Sequence, residues 1–518
     1  MVGRLYIKKL PIVLLWVFSS IMAIYVVNYH FMDAYMVPKW VSFGVLYVLL
    51  FALCSIYHLK RYAIGDIKEC IYISFAIIST IEAVRGIFEY FLYHHPIDGY
   101  FDNAAGYASM QCLGIAFLLH FCNKRNQAVT RLMTWSAIAI VIFSLVLSQS
   151  RIGVLVALLI TMFFIVYTST SKTRRILICG CVLMFVMALF VCLSIKTDST
   201  EGRKFILYRS LEMIKDKPLF GFGFGGFKLH YMDYQAEFFS SNQETSYSML
   251  ADNIKHPLNE YVKIIIECGI VGFLGIILGM LFLYWFINKK YRVIDFSMFL
   301  SLLSIALLGL FSYPLQYPHT WLILTLPVFL AYIKSLNICR GYHYSLLVSS
   351  VLAILVFSVR INKELQWGYV YHNHQNIERE ELLLRYEKLY TYFKSNPYFL
   401  YNYAHMLYQN HKYNNALVIA NECYHYWHDY SLEILRGDIY DSIGYKDYAV
   451  YIFINASHMC PNRFMPLHKL FRMALKQQNY DLAKFYAKAV LSKPIKVDSA
   501  EVQFIRNECY NYYYHNKL

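Results

Sequence analysis

Charge is scarce in this chain, and most spacings that announce a chemistry are missing. Only 16% of the 518 residues are charged, while 58% are hydrophobic. That balance excludes an ordinary soluble domain and fits a polytopic membrane protein with a soluble part. No His-x-x-x-His, no Cys pair of ligand or redox spacing and no paired acidic motif is present, so no metal site is expected. The twelve Cys fall mostly in apolar runs, where they pack as small hydrophobes; Cys179 and Cys181 are the closest pair. Cys423, Cys460 and Cys509 imply no disulfide framework. The one glycine-rich run lacks the Gly-Lys-Ser/Thr ending of a nucleotide loop. The formal charge of +15 does not point to nucleic acid, because most basic residues before 360 sit in short loops between apolar runs.

Those apolar runs predict about eleven membrane spans of ~20 residues each. They lie at 10–28, 40–58, 70–92, 104–122, 131–148, 152–169, 175–194, 258–287, 294–312, 319–335 and 343–360. The first resembles a signal peptide but lacks a small-x-small cleavage site, so it reads as an uncleaved span. Loops alternate in charge. Arg4/Lys8/Lys9, Lys60/Arg61/Lys68, Lys124/Arg125/Arg131, Lys172/Arg174/Arg175, Lys289/Lys290/Arg292 and Lys334/Arg340 share one side, which the positive-inside rule makes cytoplasmic. The long loop at 195–257 and everything after 360 then lie outside.

The expected architecture is all-α: a membrane helix bundle over 1–360, interrupted by the 195–257 loop, followed by a soluble helical part over 361–518. That last part repeats. Ala404/Leu407/Ala416/Cys423, Gly437/Tyr440/Ala449/Ala456 and Phe471/Ala474/Ala483/Val490 recur at steps of 33 and 34. Small residues stand where paired helices would cross, and Pro461 and Pro494 close units. The pattern resembles the tetratricopeptide repeat, an interaction module built as a solenoid; a generic helical bundle is the plainer alternative.

Most candidate site residues fall on the outside face. His256-Pro257-Leu258-Asn259-Glu260-Tyr261 puts a polar cluster at the entrance of a long apolar helix. Pro257 suits a first helical turn, and Asn259, Glu260 and Lys263 then share a face. Such a face belongs in a bilayer only if it lines a cavity. His256 can take a proton from a hydroxyl nucleophile, with Asn259 or Glu260 orienting it. Arg151, at the tip of the Ser148-Gln149-Ser150-Arg151 hairpin, runs against the charge bias. With Arg203 and Arg209 of the long loop it is suited to hold an anion, since guanidinium forks match phosphate oxygens; interfacial snorkelling is the alternative for Arg151.

Further candidates are less distinct. Asp102 or Asn103 opens the fourth span, as a polar site or as a plain helix cap. His319 ends a Pro-stiffened hairpin from Ser312, whose tyrosines read as interface anchors. Glu82, Arg85 and Glu89 share one face of the third span, as a functional group or as an ion-pair network joining two helices. Leu219 to Phe227, alternating Gly and Phe, predicts a tight turn at the membrane surface. The stretch from Tyr231 to Glu237 reads as amphipathic and flexible.

In order, Phe101-Asp102-Asn103, Ser150-Arg151-Ile152-Gly153, Arg203, Pro218-Leu219-Phe220-Gly221-Phe222-Gly223-Phe224-Gly225-Gly226-Phe227, His256-Pro257-Leu258-Asn259-Glu260-Tyr261 and Gly269-Ile270-Val271-Gly272 resemble the signature of the O-antigen ligase and polymerase superfamily. That superfamily includes bacterial protein O-oligosaccharyltransferases. The resemblance spans about 10–360. It implies a metal-independent, cofactor-free, inverting glycosyltransferase of the bacterial inner membrane, multi-pass, with a cytoplasmic N-terminus and its long loop and C-terminal part in the periplasm. The donor would be a polyprenyl-diphosphate-linked glycan. The acceptor would be a hydroxyl of lipid A core, as in lipopolysaccharide biosynthesis, of another glycan, or of a protein. Arg151 and Arg203 would bind the diphosphate and His256 would activate the acceptor. Two positions depart from the pattern: Ala104 follows Asn103 where a second Asn is frequent, and Pro257 replaces an Asn. A lipid-linked glycan flippase is the competing class. It would show charges deep in several spans, whereas here they concentrate in the third. A membrane-anchored scaffold is a further alternative.

Overall fold

A computed structural model describes residues 2–60, 66–124, 128–170, 173, 174, 178, 180, 197–242, 245–335 and 339–515. Among them are 21 α-helices and no strand. The chain forms two compact units. One comprises Met1–Ile195, Leu258–Glu260 and Gly275–His372; the other comprises Lys196–Pro257, Tyr261–Leu274 and Asn373–Leu518.

The first unit is the apolar bundle of a polytopic membrane protein. It contains α1 (Val2–Tyr25), α2 (Met36–Leu59), α3 (Lys68–Tyr93), α4 (Ala104–Lys124), α5 (Ala128–Leu147) and α6 (Arg151–Thr168). Among the described residues, seven helices are long and apolar enough to cross a membrane: α2 to α6 and two later ones, Glu260–Tyr291 and Arg340–His372. The expected spans at 10–28 and 294–312 correspond to the shorter apolar stretches Lys9–Tyr25 and Phe296–Gly309. Of the span expected at 175–194 only residues 178 and 180 are described, and Cys179 and Cys181 lie outside the described residues.

Helix α4 is the axis of this bundle, with 89% of its apolar window buried. Small residues make that possible. A Cβ on Gly114 would stand 1.9 Å from Ser79 Oγ, so α3 and α4 meet without room for a side chain. In α3, Arg85 pairs with both Glu82 and Glu89 of its own helix and lies 4.4 Å above the Tyr100 ring. These ion pairs run within one helix, not between the two helices expected from sequence.

Three features depart from the expected spans. The 319–335 span is two short helices, Pro318–Leu324 and Leu326–Lys334. Pro327 brings no amide hydrogen to the ladder, and the Thr325 hydroxyl accepts from Tyr47 Oη at 2.6 Å while donating to the Trp321 carbonyl at 2.7 Å. The last span does not stop at 360, because its helix continues to His372. The helix Glu260–Tyr291 breaks at Gly269, where φ is +66°.

The second unit holds the long loop and the repeats together. The loop forms α7 (Thr197–Asp216) and α8 (Gly226–Ser241); α9 is Glu260–Tyr291, of which Tyr261–Leu274 belongs here. After α10 (Phe296–Gly309), α11 (Pro318–Leu324), α12 (Leu326–Lys334) and α13 (Arg340–His372) come the C-terminal helices. They are α14 (Arg379–Phe393), α15 (Pro397–Gln409), α16 (Tyr413–Tyr424), α17 (Tyr430–Ile443), α18 (Lys446–Met459), α19 (Met465–Lys476), α20 (Tyr480–Ser492) and α21 (Ala500–His515). Asn396, Asp429 and Asn479 accept amide hydrogens at the starts of α15, α17 and α20, as N-cap side chains do.

Helices pair as α15/α16, α17/α18 and α19/α20. At Gly437 a Cβ would come within 2.5 Å of the Phe453 ring, so the glycine lets α17 and α18 close. Helix α8 is not the loose segment expected over 231–237. It packs on α18, with Tyr231 and Gln235 fully buried.

Candidate functional site

In the bundle, the stretch from Leu310 to His319, which contains the hairpin, gathers four of the eight site residues that the sequence singled out. Asn103 Oδ1 accepts the Ala105 amide at 2.8 Å, so it caps α4, and its Nδ2 donates to Tyr313 Oη at 2.7 Å. Tyr317 is fully buried and its hydroxyl donates to Asp102 at 2.8 Å. Gly106 lets that ring in, since a Cβ there would lie 2.7 Å from it. Asn259 donates to the Leu310 carbonyl at 2.8 Å, and the buried Glu260 carboxylate accepts the Leu315 amide at 3.0 Å. His319 is completely buried, bonded through Nε2 to Ser109 Oγ at 2.8 Å and stacked on Tyr317. Through Ser109 it ties the hairpin to α4.

The expected helical face of Asn259, Glu260 and Lys263 needs correcting. Helix α9 starts at Glu260, and Leu258 before it takes φ +57°. A bulky residue in the left-handed region is uncommon and costs energy. Pro257 and Asn259 therefore precede the helix, and Asn259 is spent on the hairpin.

Arg151 is the first residue of α6, half-exposed, behind a Ser150 cap that accepts the Gly153 amide at 3.3 Å. The preceding Gln149 has φ +55°. A Cβ on Gly153 would lie 2.6 Å from Ala108, so this helix start is seated against α4.

In the second unit, the Gly-Phe run and the break in α9 are one construction. Phe222 and Gly223 donate to the carbonyls of Ile266 and Glu267 at 2.8 and 2.9 Å. In return Ile270 and Val271 donate to the carbonyls of Pro218 and Leu219 at 2.8 and 3.2 Å. The break at Gly269 frees backbone groups that must find partners, and the turn supplies them. No side chain fits between: a Cβ on Gly269 would stand 2.1 Å from the Leu219 carbonyl oxygen, and one on Gly221 2.5 Å from that of Ile266. The turn leaves Phe224 fully exposed and Phe220 largely so.

Arg203 stands exposed on α7. Arg209 is differently placed, bonded to Glu212 at 2.5 Å with its guanidinium 4.4 Å over the Phe238 ring. It packs α7 onto α8, and a substrate phosphate would have to displace Glu212. His256 is buried at the end of a non-helical segment that starts after Met249.

The repeats hold that segment. Asn462 Nδ2 donates to the Met249 carbonyl at 3.3 Å and to that of Ala251. Arg463 pairs with Asp252 at 2.7 Å, and Asn253 donates to Asp429 at 2.7 Å. Gln235 Nε2 bridges the carbonyls of Asp252 at 2.9 Å and Met459 at 2.5 Å. Lys255 lies 5.0 Å over Trp427 and 5.5 Å over Tyr398, within cation–π reach. Burial alone would raise the Asp252 carboxyl, but the bonds from Arg463 and the Asn253 amide hold it below its ordinary range. Burial, then the Lys263 charge, lowers Lys228 nearby, with Glu267 opposing. A cavity of about 430 Å³ opens beside the segment, with Asp252, Asn462, Arg463, Tyr430 and Tyr401 in its wall.

Sequence reasoning missed Tyr313, Tyr317 and Ser109 in the bundle. It also missed Gln235, Asn253, Asp429, Asn462 and Arg463 in the other unit. The tyrosines carried a signal, two aromatic residues flanked by prolines, which read as interface anchors. No curated protein matches the chain. Residues 136–277, which contain Arg151, Arg203, Arg209, His256, Asn259 and Glu260, match the family model described as O-antigen ligase; the match bears out the resemblance and supports placing the chain in the O-antigen ligase superfamily.

Proposed function

We propose that the protein is an inverting glycosyltransferase that moves a glycan from a polyprenyl-diphosphate carrier to an acceptor hydroxyl on the periplasmic face of the inner membrane. The observation that carries this reading is the O-antigen ligase match, which takes in both arginines and the histidine assigned to the chemistry. A glycosyltransferase-type activity at a membrane follows from the family match and the apolar helices; donor, acceptor and face are the proposal.

In this reading His256 removes the proton of the acceptor hydroxyl as its oxygen bonds to the anomeric carbon. The bond from that carbon to the carrier diphosphate breaks, and the electron pair leaves on phosphate. Attack opposite the leaving group inverts the anomeric centre. Arg151 and Arg203 stabilise the charge that grows on the diphosphate, where fixed cations act most strongly on the transition state. Asn103, Asn259, Glu260 and His319 serve through the hairpin they hold, and Arg209 through the packing of α7. The acceptor is lipid A core, the end of another glycan or a protein hydroxyl, and the C-terminal helices, which resemble tetratricopeptide repeats, share the acceptor's compartment.

The test is glycan transfer in envelope extracts of a deletion strain complemented with wild type, His256→Ala or Arg203→Ala. Both variants should accumulate carrier-linked glycan and empty one acceptor pool, which names the acceptor. Full transfer by both variants at normal expression would remove the catalytic assignment and favour a flippase or a scaffold.

A further inference from the structure

We propose that the C-terminal helices are part of the transfer machinery itself, acting as a clamp that sets the position of His256. The inference rests on the catalytic reading of His256 given above, and adds Asp429, Asn462 and Arg463 as positioning residues.

The segment from Leu250 to Asn259 contains no helix or strand. Ordering such a stretch costs backbone entropy, and its buried polar groups still require partners. All but one of those partners come from far along the chain, the exception being Gln235 of α8. The carbonyls of Met249 and Ala251 are taken by Asn462, that of Asp252 by Gln235, and the side chains of Asp252 and Asn253 by Arg463 and Asp429.

The long-range partners are not scattered. Trp427 and Asp429 lie in the turn between α16 and α17, and Asn462 and Arg463 lie in the turn between α18 and α19. Asp429 and Asn462 are 33 positions apart, the step of the repeat itself. Two successive repeats thus offer equivalent turns to one strand of chain. Asp429 indexes the strand to a helix start, because its other oxygen accepts the Ser431 amide at 2.8 Å. Lys255, over Trp427 and Tyr398, directly precedes His256. A histidine on a loose loop cannot hold a near-attack geometry, and a misplacement near 1 Å costs on the order of 100-fold in rate.

The experiment uses the full-length protein in lipid nanodiscs. It follows deuterium uptake of peptides covering 249–256 together with transfer kinetics. Asn462→Ala and Arg463→Asp should raise uptake over 249–256 while leaving 465–492 unchanged. They should lower kcat by roughly 10- to 100-fold at unchanged KM for the donor. Arg463→Lys, and the charge swap joining Asp252→Arg to Arg463→Asp, should restore most of both. Raised uptake with wild-type kcat overturns the proposal, and so does unchanged uptake. His256→Ala run in parallel separates the two readings. Transfer by that variant at the wild-type rate removes the catalytic assignment of His256 and the clamp's catalytic purpose with it. Loss in His256→Ala beside normal kcat in Asn462→Ala leaves the transferase standing and removes only the clamp.

Discussion

The two units differ in how their polar groups are spent. In the bundle, Ser20, Thr161 and Ser304 donate to carbonyls four residues back in their own helices. These bonds satisfy a hydroxyl without tying distant segments together. In the other unit the bonds of Gln235 to Met459, Asn253 to Asp429, Asn462 to Ala251 and Arg463 to Asp252 span roughly 176 to 224 residues of chain. A local bond can be deleted cheaply, because its carbonyl keeps its ladder partner. A long-range bond fixes tertiary geometry, and its loss leaves a loop without support. The bundle has long-range bonds too, Tyr47 to Thr325 and Tyr72 to Asp295 among them, and at the hairpin from Ser312 to His319 Asn103 and Glu260 bond across the fold as the repeat residues do.

That contrast can be broken most severely at Gly269. Gly269→Ala forces a Cβ into a backbone carbonyl 2.1 Å away at a φ of +66°. The left-handed conformation alone costs about 1–2 kcal/mol, and backbone cannot swing aside as a side chain can. Loss of folded protein, read as yield and monodispersity after detergent extraction, is the expected result. Normal yield would mean that the Gly-Phe turn and the helix break are not interlocked.

A smaller effect is expected at Tyr317→Phe, which removes the hydroxyl bonded to Asp102 and leaves the ring's packing intact. One hydrogen bond of this kind contributes about 1 kcal/mol, so the thermal midpoint in nanodiscs should fall by a few degrees. Ser304→Ala sharpens the comparison, since its lost bond is local and the Leu300 carbonyl keeps its ladder partner. Its midpoint should fall less than that of Tyr317→Phe. Equal effects of the two substitutions would dissolve the distinction between local and long-range bonds.

The mildest test is pH. Asp252 titrates below its ordinary range in the folded protein, so the folded state binds the proton less readily than the unfolded one. The stability this contributes is present above the ordinary carboxylate pKa and is lost as pH falls through the lower, folded value. Deuterium uptake over 249–256, corrected for intrinsic rates, should therefore rise only at the acid end. In Asp252→Asn that dependence should disappear.

How much of this was legible beforehand differs between the units for the same physical reason. Spans are legible because burial in lipid demands ~20 apolar residues in a row, a local property of sequence. The helix pairs are legible because small residues must recur where helices cross, as at Ala404, Gly437 and Ala449. His256 and Arg203 were found because they interrupt or adjoin such patterns. Nothing local marks Asn462 or Asp429, which read as turn residues until the segment 249–256 is laid against them. The flexible reading of 231–237 failed in the same way: Tyr231 and Gln235 have a buried face only because α18 covers it.

By itself the sequence determined the all-helical membrane bundle, the repeating helical tail and the resemblance to the O-antigen ligase superfamily, all of which follow from periodicity and motif order along the chain. Only the tertiary structure decided that the long loop folds with the repeats as one unit. It alone also decided that Gly269 and Gly221 meet backbone to backbone, and that His319 is buried beneath Tyr317. Each of those outcomes depends on groups far apart in sequence coming within a few ångströms, and no run of residues encodes that approach until the helices have packed.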